Sequence, residues 1–202
     1  MIDLKKRSLV AGAAAVLGTA ASIAATRRAP MAQQEPRELI RSRRFPNLPL
    51  VTHNGSQVRF YDDVLKDRKV VINVMYTVCS NICTPVTQNL LEAQRLLGAF
   101  AADVSFYSIS LTPLDDDPAA LRAYMKLHHI ESGWTFLTGK PDNVEQVRRG
   151  LGFARSRPDE DADLSNHTGM LRIGNERMAT WGHASALTNG RAIARMIRFE
   201  LA

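Results

Sequence analysis

The sequence predicts an α/β fold in which one mixed sheet carries helices on both faces. Residues 69–76, KVVINVMY, form a continuous run of mostly β-branched residues, as a strand buried on both faces requires. Beyond it, helical and strand patterns alternate, which marks crossover connections between parallel strands. Ahead of it, Asn54-Gly55 separates two short apolar runs, the strongest short-range hairpin signal.

Taken in order, LPLVT and SQVRFYD are the two arms of that N-terminal hairpin. Strand 69–76 then runs into the only two cysteines of the chain, Cys79 and Cys83. Thr84 reads as an N-cap with Pro85 at the first helical position, and the helix that follows places Leu90, Leu91, Leu96 and Leu97 on one stripe and stops at Gly98. A second strand spans 103–111. The stretch 115–129 begins with three aspartates and a proline and ends in two histidines, the polarity a helix dipole favours. WTFLTG is a third strand, and PDNVEQVRRGLG a helix with Gly152 as its stop. ARSRPDEDADLSNH reads as a loop, TGMLRIGNERMATW as a hairpin about Gly174-Asn175, and GRAIARMIRFEL as a closing helix. An initial hairpin followed by β-α-β-α-β-α-β-β-α fits a thioredoxin-like sandwich, because the last strands need no helical crossover.

Composition places the chain among globular proteins: of 202 residues, 45% are hydrophobic and 23% charged. The formal net charge of +6 is localised. Residues 1–25 carry Lys5, Lys6 and Arg7 against Asp3, and residues 26–44 carry Arg27, Arg28, Arg37, Arg41, Arg43 and Arg44 against Glu35 and Glu38. The remainder is balanced, so no nucleic-acid-binding face is expected. No phosphate loop, serine triad or dinucleotide fingerprint is present.

Residues 1–25 have a basic start, an alanine-dominated apolar run and small residues at Ser22–Ala25, the order of a secretory signal peptide. A cleaved signal is the expectation. A retained anchor is the alternative, because a spanning helix needs roughly 20 residues. Residues 26–44 read as a basic flexible linker that can also touch anionic lipid, and residues 45–202 as the domain. The expected compartment is therefore exported, periplasmic, with possible membrane association through the N-terminus.

Export permits a disulfide, yet two cysteines four positions apart close too small a loop to constrain the unfolded chain much. A functional pair is the better reading. The loop after strand 69–76 lies at the carboxyl edge of a central strand, where open α/β sheets place ligands. A helix N-terminus just beyond it favours thiolates. Two thiolates act as nucleophiles or select soft metals, Cu(I) or zinc. Of five histidines, His167 directly precedes strand 169–173, and an antiparallel strand there starts at the edge where the parallel strands end. Two thiolates and an imidazole suit trigonal Cu(I), whereas zinc wants a fourth ligand.

Cys79-Ser80-Asn81-Ile82-Cys83, YSISLTPLDDDPAALRAYM, GWTFLTGKP and DADLSNHTG together resemble the SCO/SenC copper proteins that help assemble respiratory oxidases. The resemblance covers most of residues 45–200. It implies copper on Cys79, Cys83 and His167, a thioredoxin-like fold, and as partner a respiratory oxidase subunit with a Cu(A)-type centre or another cuproprotein, approached by a monomer. Thr84 stands between the second cysteine and Pro85, where the family often has proline directly.

The alternative is a thiol-disulfide reductase working through Cys79 and Cys83 to keep client cysteines reduced. It is disfavoured because Ser165-Asn166-His167-Thr168 contains no proline, where redox members of the fold set one opposite the cysteines. His53 is expected in a turn, His128 and His129 at a solvated helix end, and His183 at the margin of the site. Asp161 or Asp163 is a candidate to orient His167, and Asp115, Asp116 and Asp117 read as a helix start.

Overall fold

A computed structural model describes residues 44–79, 81–163 and 169–202. The hairpin comes first, β1 at Pro49–Thr52 and β2 at Gln57–Arg59, with Gly55 at φ 82° in the turn. A wide helical turn, Phe60–Leu65, drops Phe60, Tyr61, Val64 and Leu65 into the core and leads to β3, Lys69–Met75. Helix α1 is Cys83–Leu97, β4 Val104–Ser110, α2 Pro118–Leu127, β5 Trp134–Thr138 and α3 Pro141–Gly150. A short α4, Pro158–Ala162, precedes β6, Met170–Asn175, β7, Thr180–Ser185, and α5, Gly190–Leu201.

The seven strands lie in the order β2-β1-β5-β4-β3-β6-β7. β3, β4 and β5 are parallel, while β1 joins β5, and β6 joins β3, antiparallel. Both crossovers that step from β3 to β4 to β5 put α1 and α2 on one face. That shared face is what two right-handed crossovers in the same direction demand, whereas α3, between β5 and the antiparallel β6, packs on the other face.

The alternation of β3 divides the core accordingly. Val71 and Met75 join α1, α2 and α5 in one cluster, which also contains both cysteines. Val70, Ile72 and Val74 join α3 and the Phe60–Leu65 turn in the other. The mixed, thioredoxin-like sandwich with helices on both faces is thus the observed architecture.

Three local expectations are corrected. Helix α1 starts at Cys83 with Ile82 as N-cap and no side-chain cap, not at Thr84. Pro85 sits in the first turn, where its missing N–H leaves no intrahelical bond unmade. The second hairpin turns at Glu176–Ala179, not at Gly174-Asn175, which lie within β6. Gly174 serves packing instead: a Cβ there would come within 2.2 Å of the Trp181 ring. Finally, the acidic loop contains α4, whose acidic first turn meets the helix N-terminus.

Among the described residues no helix is long and apolar enough to cross a membrane. The expected signal segment, and nearly all of the expected linker, lie outside the described residues.

Candidate thiol site

The buried strand β3 delivers the cysteine loop. Met75 ends the strand, Tyr76 and Thr77 follow, and the Cys79 amide donates back to the Tyr76 carbonyl at 3.2 Å. Four residues later Cys83 opens α1. Neither cysteine is joined in a disulfide, and both thiols are buried, Cys79 8% exposed and Cys83 2%.

The two sulfurs differ electrostatically. Burial would raise the Cys79 pKa. It is overcome by hydrogen bonds to the sulfur from the Cys83 thiol, from the Cys83 and Asn81 amides at the start of α1, and from the Tyr76 hydroxyl, so Cys79 lies below its ordinary value. Cys83 lies well above its own, first through deeper burial and then because its proton is held in the bond to Cys79. The Tyr76 hydroxyl is pushed up to about 12 by burial, by its bond to Cys79 and by the nearby charges of both cysteines and Asp163. Cys79 is thus the more readily ionised of the two sulfurs, and Cys83 the one that holds its proton.

The loop is pinned from the neighbouring strand. Asp116 is fully buried, and its carboxylate accepts hydrogen bonds from the Thr77 hydroxyl at 2.5 Å, the Thr77 amide at 3.3 Å, the Ser110 hydroxyl at 2.6 Å and the Thr112 hydroxyl at 3.1 Å. Of the three aspartates expected to start a helix, only Asp117 caps α2, accepting from the Ala120 amide at 2.7 Å. Asp116 is the site residue that sequence reasoning missed. The signal was available, since one cap needs one aspartate.

His167 lies outside the described residues, as does Ser80. The strand that follows His167 is placed: β6 pairs with β3 with Arg172 opposite Ile72, so β6 begins at the carboxyl edge of β3. Its approach residue Gly169 packs so closely that a Cβ would meet Val86, in the first turns of α1, at 3.1 Å.

Of the remaining candidates, Asp163 lends its charge to the site through Tyr76, and the others lie elsewhere. Asp161 is taken up by Arg148, at 2.5 and 2.8 Å, and by the Arg155 amide at 2.7 Å, which is a structural role. His183, expected at the site margin, stands opposite Arg172 in mid-strand and contacts its guanidinium on the sheet face away from the thiols. His53 accepts from the Phe136 amide at 3.2 Å, and His128 packs on the Tyr124 ring at 4.2 Å between centroids.

A family profile described as SCO1/SenC matches residues 42–202. A protein described as an SCO1 homologue in Bacillus subtilis is 32% identical over 76 residues, 37% of this chain and 39% of that relative, so the match spans well under half of the relative's length. Among solved structures, copper-bound ScoI of Bradyrhizobium japonicum superposes with a TM-score of 0.61 at 24% identity, covering 77% of this chain and 99% of that one. BsSco, described as a Sco-family cytochrome c oxidase assembly protein with a disulfide switch, gives 0.61 at 21%, covering 77% and 92%. The two likenesses show the fold; the profile, matched over most of the chain and across the whole described sheet, shows that the chain belongs to the SCO1/SenC family.

Proposed function

We propose that the protein is a copper metallochaperone of the exported compartment, holding Cu(I) on Cys79, Cys83 and His167 and passing it to a Cu(A)-type centre of a respiratory oxidase. The observation that carries the reading is the pair of reduced, buried sulfurs at the carboxyl edge of β3, one of them already surrounded by donors. Copper is cargo here, and the donors suit it. Two thiolates in an apolar pocket select a soft monovalent ion over hard cations, and His167 completes trigonal coordination. Copper bound to a relative, and a relative that serves in oxidase assembly, support the same reading.

The protein's own residues act as follows. Cys79 meets the ion as a thiolate, Cys83 releases its proton on binding, and Asp116 holds the loop that carries them. A membrane-tethered or cleaved N-terminus and a monomeric domain belong to the proposal. The test is a Cu(I) competition titration on the mature domain, comparing wild type with Cys79→Ala, Cys83→Ala and His167→Ala. All three variants are expected to bind more weakly by tenfold or more, and unchanged affinity in His167→Ala would refute the three-ligand site.

The inequality of the two thiols favours a second reading, thiol-disulfide exchange, in which Cys79 attacks and Cys83 resolves. Turnover of a disulfide substrate that survives His167→Ala but not Cys83→Ala would reverse the ranking.

A further inference from the structure

Arg172 is 1% exposed, in the middle of β6, on the sheet face opposite the thiols. Its Nη1 contacts the His183 ring at 2.8 Å, and its guanidinium carbon lies 5.6 Å from the centre of the Trp181 ring. Nε and Nη2, both buried, have no hydrogen-bond partner. The charge that acts on it is that of another cation, Arg44, and no carboxylate of the described residues pairs with Arg172.

A buried guanidinium left this way is costly, because desolvation removes its water and nothing restores the bonds. The two orphaned atoms are not scattered. Nε and Nη2 form the side-on edge of the guanidinium, two parallel N–H groups spaced to meet the two oxygens of one carboxylate. A water can bridge the two donors, but it leaves the charge uncompensated. The surrounding cation Arg44 excludes a cationic ligand and reinforces an anionic one.

We propose that Arg172 is a carboxylate-holding site, with Trp181 stacked on the guanidinium and His183 closing its third corner. Two sources supply the same chemistry. One is a small carboxylate from solution. The other is Glu35 or Glu38 of this chain: the described chain begins at Arg44, with Phe45 against Trp181 at 4.5 Å between centroids and the Arg44 carbonyl close against Gly150. Glu38 is six residues upstream of Arg44, a reach of about 20 Å in extended chain.

Thermal unfolding of the exported chain, in sodium formate against sodium chloride at matched ionic strength, separates the cases. Variants are Arg172→Lys, which keeps the charge and loses the fork, Arg172→Met, and the pair Glu35→Gln with Glu38→Gln. A midpoint raised about 2–5 °C by formate over chloride in wild type, and absent in Arg172→Lys, supports a ligand from solution. A wild type indifferent to formate but lowered by the glutamine pair, with Arg172→Lys unaffected by the same pair, supports the chain's own carboxylate. Arg172→Lys carries either comparison if Arg172→Met does not fold. Indifference to both formate and the glutamine pair, or a formate response retained in Arg172→Lys, overturns the proposal.

Discussion

The carboxylate of Asp116 lies 2.5 Å from the hydroxyl of Thr77, joining the turn after β4 to the loop that carries the cysteines. The two residues are 39 positions apart in sequence and adjacent in the sheet, because β3 and β4 are parallel neighbours whose carboxyl ends emerge together.

Asp116→Asn keeps the shape but puts a donor where an acceptor of several bonds stood. The Thr77 amide and the hydroxyls of Thr77, Ser110 and Thr112 all donate to the carboxylate, so an amide N–H pair in place of one oxygen makes some of them turn round or lose their acceptor. A loss of about 1–3 kcal/mol is expected in urea unfolding. A weaker Cu(I) competition titration is expected in conditions where the variant remains folded.

Alkylation should distinguish the thiols. Iodoacetamide reacts with thiolate, and Cys79 is both the more exposed and the one whose pKa lies below its usual value. In the reduced, metal-free domain at pH 7, mass mapping should find Cys79 modified at least about tenfold faster than Cys83. Equal rates would remove the asymmetry on which the loop chemistry rests.

Cu(I) affinity should rise with pH. Cys83 is protonated well beyond its ordinary range, so binding must displace its proton. The apparent dissociation constant, measured against a competitor of known pH dependence, should fall about tenfold per pH unit from pH 6 to 8. A flat profile would mean that Cys83 is not a ligand.

The acid limb of stability should depend on Asp161. Its side chain is 6% exposed, and hydrogen bonds from Arg148 hold its carboxyl well below the usual carboxylate range, with Glu145 depressed by the same arginine. A depressed folded pKa gives stability that is present above the unfolded value, about 3.9, and is lost as pH falls through the folded one. Urea midpoints of wild type should therefore decline from about pH 4 downward, and Asp161→Asn should be less stable at pH 7 and decline less.

Gly174→Ala should destabilise by about 1–3 kcal/mol, since the added methyl meets the face of Trp181. Gly174→Ala combined with Trp181→Leu should recover part of that loss in the same unfolding assay.

The fold was legible where one periodicity dominated. The run 69–76 could only be a buried strand, and Asn54-Gly55 only a tight turn, because few backbones suit either. Legibility failed where tertiary contact overrode local preference. Gly174-Asn175 has turn chemistry, but Trp181 packs over Gly174 and moves the turn to Glu176–Ala179. Thr84-Pro85 has cap chemistry, but the chain folds into α1 already at Cys83, where its amide reaches Cys79. The cysteines themselves were readable as a pair, whereas their inequality depends on burial depth and hydrogen-bond direction, which no spacing encodes. Asp116 was hidden among its neighbours for the same reason: whether an aspartate caps a helix or anchors a loop is decided by the strand beside it.

The strand that closes over the thiols is made long after them, with only β7 and α5 to follow. Lys69 of β3 pairs with Asn175 of β6, and both cysteines share their core cluster with Leu171, Ile173, Ala186 and Ile197. A chain emerging from the ribosome in its synthetic order therefore presents two neighbouring, unshielded thiols before their cover has been made. The opportunity for an oxidant to join Cys79 to Cys83, or for a metal to reach them, is greatest before the residues from β6 onward arrive, so the state of the pair depends on the order of synthesis as well as on the finished fold.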